Sequence, residues 1–181
     1  MKLILSHGIR TRDPRKHFGG IEERVSDKIE VVYADYGYIL FPLTNSRAVD
    51  AIEDVFEPGD ILAGFSNGGY AAWKFCQRGF RPRHVFLISP ALRKDATFPV
   101  PTTCFYSNGD GIVTKGKWWG RTVSMLPHRW GRPNYWGEMG RFGAKSKQID
   151  NIQLPDCVSH AFYRHDYVQD RIAESILSIA A

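Results

Sequence analysis

Ser66 stands in Gly64-Phe65-Ser66-Asn67-Gly68, a serine set between glycines, with the apolar run "DILAGF" (60–65) before it and a helical pattern (67–78) after it. The pentapeptide fits G-x-S-x-G, and a strand leading in with a helix leading out is the context that motif requires. The physical reason for the glycines is crowding. A strand that turns sharply into a helix brings backbones into van der Waals contact and leaves no room for Cβ atoms beside the turn. The serine is then pushed to the tip of the turn at the strand's carboxyl end, where its hydroxyl can act as a nucleophile. The competing reading is a serine whose hydroxyl caps the following helix, with the glycines there only for packing.

A serine hydroxyl attacks at neutral pH only when a positioned base takes its proton. The chain has six histidines. His160, in "DCVSHAFYRHD", is the best placed, in the loop after the last strand pattern; His165 is the alternative, immediately before the helix that opens at Asp166. His7 follows the first strand, His84 begins another, and His17 and His128 fall in basic loops. The imidazole needs an acid to fix its tautomer and stabilise the imidazolium. Asp110, in "FYSNGDGIV", follows a strand directly, although "NGDG" would also suit a plain turn. Asp95 and Asp156 are weaker candidates. The developing oxyanion needs two backbone N–H donors. Asn67 supplies one at a helix start, and Ile9, after the "HG" that closes the first strand, supplies the other. Gly8 makes the turn there, and His7 is expected to orient the loop by hydrogen bonding rather than to do chemistry.

These groups have to be carried on a frame. Apolar and β-branched runs at 3–5, 29–37, 60–65, 84–89, 102–108 and 147–154 read as strands. Helical spacing appears in 18–28, in Ala48, Val49, Ile52, Val55 and Phe56, in 67–78 with Gly79 as its stop, and from Asp166 onward, where Asp166 and Gln169 suggest a capping box. Strand and helix therefore alternate, which predicts an α/β fold: a mostly parallel sheet with helices on both faces. At 181 residues the chain fits a single domain, 1–181. In such sheets ligands bind beyond the carboxyl ends of the strands, where Ser66, Asp110 and His160 all fall.

With G-x-S-x-G between strand and helix, "HG" after the first strand, and the order Ser66, Asp110, His160, the chain resembles the α/β-hydrolase superfamily. Its first recognisable strand, "LILSHGI", is similar to that of the minimal single-domain lipase and esterase members. The resemblance spans nearly the whole chain. It implies a covalent acyl-enzyme with Ser66 as nucleophile, His160 as base and acid, Asp110 as orienting acid, and the amides of Ile9 and Asn67 as oxyanion hole; no cofactor is expected, and the cysteines show no metal-ligand spacing. Phe65 and Asn67 depart from the histidine and small or apolar residue that many lipases carry in the elbow. The polar loop "HGIRTRDPRKH" is also unlike that of lipid-handling relatives, so a lipase label does not follow.

Composition narrows the partners. Residues 115–147 hold eight Lys and Arg against Glu138 alone, more than the whole chain's net +5, so the rest carries a slight excess of acid. Five tryptophans, Trp118 and Trp119 among them, include four in this segment, which reads as a lid or surface excursion inserted before the last strand. With Arg10 and Arg12 near the expected mouth, Trp118 and Trp119 are candidates for binding a small anionic or amphiphilic ester, or for resting on an anionic surface. Nucleic acid ranks last, since no nucleic-acid module motif is present. The alternatives kept open are a silent hydrolase-fold module that binds a polyanion or membrane surface, and an amidase or thioesterase using the same residues. Three widely spaced cysteines without a CxxC pair, no apolar run of membrane-spanning length, and only "MKLIL" before the first polar residues point to a cytoplasmic location. Oligomeric state is not readable from the chain.

Overall fold

The structure is a computed structural model that describes residues 1–38, 45–115 and 137–181. In chain order the elements are β1 (Lys2–Ser6), α1 (Arg15–Val25), β2 (Glu30–Tyr33), α2 (Asn45–Val55), β3 (Ile61–Phe65), α3 (Asn67–Gln77), β4 (His84–Ile88), β5 (Thr102–Tyr106), a short α4 (Met139–Phe142), β6 (Ile149–Gln153) and α5 (Asp166–Ala180), with a 3₁₀ turn at Phe162–Arg164. The strands form one parallel sheet in the order β2-β1-β3-β4-β5-β6.

Alternation along the central strands sends side chains to two cores. Ile4, Leu62, Val85, Leu87 and Cys104 face one side, covered by Ala48, Val49 and Ile52 of α2 and Ala71, Ala72 and Phe75 of α3. Leu3, Leu5, Ile61, Ala63, Phe86, Ile88 and Phe105 face the other, covered by Phe18, Ile21 and Val25 of α1 and Val168, Ile172 and Ile176 of α5. Strands buried on both faces read as continuous apolar runs, which is how β1, β3 and β4 appear in the sequence. β6 is an edge strand with only Ile149 fully inside, and its weak alternation reflects that position.

The chain winds outward from β1 in both directions, to β2 on one side and through β3 on the other, so the strand order reverses between β1 and β3. Ser6 of β1 pairs with Gly64 of β3. That register sets the loop after β1 beside the turn after β3, at the switch point where α/β sheets bind ligands.

Several expected boundaries move. α1 begins at Arg15 rather than near residue 18, because Pro14 serves as its N-cap and pre-sets the first turn. β2 ends at Tyr33 instead of residue 37: the chain leaves the sheet so that Ala34 and Tyr36 enter the core, and Gly37 then turns at φ 65°. The Asp166–Gln169 capping box is not formed. His165 is the N-cap, Asp166 is already helical, and the Gln169 amide donates to Tyr163 O at 3.1 Å. Gly79 does stop α3, at φ 104°. Of the basic segment, residues 116–136, including Trp118 and Trp119, lie outside the described residues. Its remaining part is tied to the chain after β4: Met139 N donates to Leu92 O, Gly140 N to Pro90 O and Lys145 N to Lys94 O, at 2.7 to 3.0 Å.

Candidate active site

Ser66 holds φ 54° and ψ −116°, a left-handed conformation that side chains avoid at a cost of roughly 1–2 kcal/mol. Backbone bonds enforce it: Ser66 N donates to Ile88 O at 3.0 Å, and Ser66 O accepts from Gly69 N and Ala91 N at 3.1 and 3.0 Å. Its hydroxyl makes no capping bond to α3, so the structure gives the helix-cap reading of this serine no support. The glycines are there for space. A Cβ on Gly64 would stand 2.5 Å from Gly68 O, one on Gly68 would stand 1.9 Å from Ser6 O, and one on Gly69 would stand 2.9 Å from the Pro90 Cβ.

His160 Nδ1 lies 2.8 Å from Asp110 Oδ2. Asp110 is fully buried, and its other oxygen accepts from the amides of Ile112 and Val113 at 3.1 and 3.4 Å, where residues 111–115 begin a helical turn. A carboxylate oxygen accepts, so Nδ1 is the donor of this bond, and in a neutral imidazole with that tautomer Nε2 carries the lone pair. The two loops are stitched together: Ser107 Oγ donates to Pro155 O at 3.0 Å, and a Cβ on Gly109 would sit 2.0 Å from Asp156 O. The Phe65 ring packs on the His160 imidazole at 4.8 Å and on Phe162 at 5.1 Å. This accounts for the aromatic residue in the elbow: Phe65 supports the imidazole from the serine's own turn. The other candidates lie elsewhere. His165 caps α5 against Tyr167, Asp95 is paired with Arg93 on the surface, and Asp156 is exposed.

The loop after β1 approaches the serine closely. A Cβ on Gly8 would be 3.1 Å from Ser66 Cβ, so only glycine lets the loop sit there without displacement. Ile9 lines the same cavity as Ser66, as does Asn67, the first residue of α3, where an N–H points out of the helix end. His7, expected to orient this loop, is buried. Its Nδ1 is 2.8 Å from Gly8 O, its ring stacks on Tyr36 at 3.9 Å, and the Tyr36 hydroxyl donates to His7 O. Burial pulls the His7 pKa below its ordinary value, favouring the neutral ring.

Ser66, His160, Ile9, Asn67 and Arg10 thus border one cavity of about 360 Å³. Arg12, expected at its mouth, is not among the lining residues and lies over the Tyr38 ring, 5.7 Å from its centre. Sequence reasoning missed His17. It lines the cavity from α1, with Nδ1 3.3 Å from Thr11 Oγ1 and its ring between Phe65 and Tyr163. Burial first, and then the neighbouring His7 and His160, push its pKa down to about 4. The missed signal was the true start of α1, which puts His17 one position before the buried Phe18 in a helix rather than in a loop. Cys76 and Cys104 are core residues, and burial raises both thiol pKa values, that of Cys76 to about 12. Among the described residues no three His, Cys, Asp or Glu side chains cluster as metal ligands would, and no helix is long and apolar enough to cross a membrane.

No protein-family model and no curated protein sequence matches the chain. Solved structures do. The mouse alpha/beta hydrolase domain-containing protein 10 superposes with a TM-score of 0.69 at 12% identity, covering 98% of this chain and 88% of that one. A protein from Pectobacterium atrosepticum described as a YdeN-like hydrolase gives 0.59 at 21% identity over 96% and 89% of the two chains. Carboxylesterase CesB of Bacillus subtilis gives 0.60 at 13% identity over 94% and 81%. Together with the six-stranded parallel sheet, its helices on both faces and the turn at Ser66, these superpositions identify the architecture of the chain as the α/β-hydrolase fold.

Proposed function

We propose that the protein is a serine hydrolase that cleaves carboxylic esters through Ser66, His160 and Asp110. The observation that carries this reading is a left-handed serine whose hydroxyl serves no cap, bordering one cavity with an imidazole held 2.8 Å from a buried carboxylate. Ser66 Oγ attacks the ester carbonyl carbon while His160 Nε2 takes the hydroxyl proton. The Ile9 and Asn67 amides bind the resulting oxyanion, a term worth about 3–4 kcal/mol per donor in such sites. Collapse breaks the C–O bond, His160 returns the proton to the leaving alcohol, and the acyl group stays on Ser66. Water, deprotonated by His160, then attacks the acyl carbon, releasing the acid and restoring the serine hydroxyl. Asp110 keeps Nδ1 protonated and offsets the charge of the imidazolium. The neighbours whose names include hydrolase and carboxylesterase support the class of reaction. Buried, unpaired Cys76 and Cys104 and an exposed unpaired Cys157 fit a reducing compartment.

Intact mass after exposure to a fluorophosphonate tests the reading. One adduct on the native chain and none on Ser66→Ala is the expected result. A folded native chain that takes no adduct and hydrolyses no ester would instead favour a non-catalytic module of the same fold.

A further inference from the structure

Resting on the ester-hydrolase reading, we infer that Arg10 selects substrates: the preferred ester is a short one that carries a negatively charged group. Arg10 directly follows Ile9, whose amide is assigned to the oxyanion, and it lines the cavity that contains Ser66 and His160. Its φ is 60°, one of only three left-handed non-glycine residues among those described, and another of the three is Ser66 itself. Glycine takes that conformation without penalty, whereas a branched Cα costs roughly 1 kcal/mol. The chain bears this cost and gains a guanidinium at the mouth of the site.

That guanidinium is uncommitted. Among the described residues Arg10 has no hydrogen-bond, ion-pair or ring partner, whereas Arg12 lies over Tyr38 and Arg15 reaches Glu22 at 3.7 Å. Among the described residues no carboxylate lines the cavity; Asp110 is held by His160 and Asp13 accepts from the Arg15 amide. The remaining wall is mostly apolar, from Ile9, Phe65, Ala91, Ile112 and Val113. A cavity of about 360 Å³ is at the small end for a ligand site. An apolar wall with, among the described residues, one permanent cation suits a short acyl or alcohol chain that ends in a carboxylate or phosphate, because a guanidinium binds either in a two-pronged geometry.

The test compares isosteric pairs that differ only in a remote charge. On the acyl side these are the 4-nitrophenyl monoester of adipic acid and 4-nitrophenyl hexanoate. On the alcohol side they are the acetate of 4-(hydroxymethyl)benzoate and that of 4-methylbenzyl alcohol, and a third pair replaces the benzoate carboxylate by a phosphate. The native enzyme is expected to favour the charged member of at least one pair by roughly five- to tenfold in kcat/KM, mainly through KM, and to lose much of that preference at high ionic strength, as a solvent-facing pair should. In Arg10→Gly, which suits the left-handed backbone, the ratio should fall to about one; Arg10→Lys should keep part of it. A native ratio at or below one in every pair, or a preference that survives in Arg10→Gly, would overturn the inference. Labelling of Ser66 by fluorophosphonate separates the two failures: a labelled enzyme without charge preference sinks only the role of Arg10, and an unlabelled, inactive one sinks the hydrolase reading and this one with it.

Discussion

The two halves of the site are held by different means. On one side, Ser66, Gly8 and Asn67 are placed by backbone against backbone: the register of β1 on β3, three hydrogen bonds to the Ser66 peptide, and glycines at which an added Cβ would stand only 1.9 to 3.1 Å from its nearest neighbour. On the other, His160 sits in a loop with little regular structure and is placed by side chains, chiefly the bond to Asp110 and the Phe65 ring. Damage to the first half should reach the fold, whereas damage to the second should reach only the chemistry.

Gly68→Ala is the hardest blow to the first half. Its methyl would enter the Ser6 carbonyl, which is strand backbone and cannot rotate away. We expect a loss of at least about 3 kcal/mol in urea denaturation and no activity. Gly19→Ala in α1, with nothing within 4 Å of its new methyl, should gain about 0.5–1 kcal/mol and keep activity, which excludes a general intolerance of added Cβ atoms. Asp110→Asn is the matching blow to the second half. The amide keeps an oxygen for the Ile112 and Val113 amides but no longer holds Nδ1 protonated. kcat should fall about 10³- to 10⁴-fold while the melting temperature falls by only a few degrees. Unfolding of Asp110→Asn under conditions where the native chain is folded would break the comparison.

The same contrast explains what could be read from the chain. Ser66, Gly8 and Asn67 were legible because steric demands write themselves into residue types: glycine where no Cβ fits, apolar runs where a strand is buried on both faces. The alternation of strand and helix gave the sheet for the same reason. Asp110 and His160 were legible only through their order and their places after strands, since nothing local requires an acid or an imidazole there. His17 was not legible at all. Its membership of the site depends on where α1 starts and how α1 lies on the sheet, and that angle is set by Phe18, Ile21 and α5, far along the chain. The shortened β2 escaped too, because Tyr36 leaves the sheet for a long-range partner, the His7 carbonyl.

Tyr36 tests a side chain that serves the backbone-held half. It is not among the residues that line the cavity, so an effect on turnover would have to pass through His7 and the loop after β1, the pattern of a positioning residue. Tyr36→Phe keeps the ring stack and leaves the buried His7 carbonyl without its hydroxyl donor, which should cost about 1–3 kcal/mol of stability. Turnover should fall by roughly three- to tenfold with KM nearly unchanged, the pattern of a slackened oxyanion site. Equal kcat with lower stability would reduce Tyr36 to a packing residue and leave the loop held by Gly8 and His7 alone.

The smallest effect belongs to His17, at the seam where Phe65 touches both halves. With its pKa lowered from 6.5 to about 4 in the fold, the unfolded chain binds more protons between those values, so stability rises with pH across that window. The contribution is complete above pH 6.5 and is lost as the pH falls toward 4; burial shifts His7 and His84 in the same direction. His17 borders an open cavity, so solvent screening leaves on the order of 1 kcal/mol at pH 5. His17→Gln, which keeps a polar partner for Thr11 but does not titrate, should therefore show a smaller drop in melting temperature between pH 7 and pH 5 than the native chain does. An identical drop would mean that His17 is already well hydrated, and the pH response would then belong to His7 and His84, the two histidines that lie under the sheet's carboxyl edge and along β4 rather than in the cavity wall.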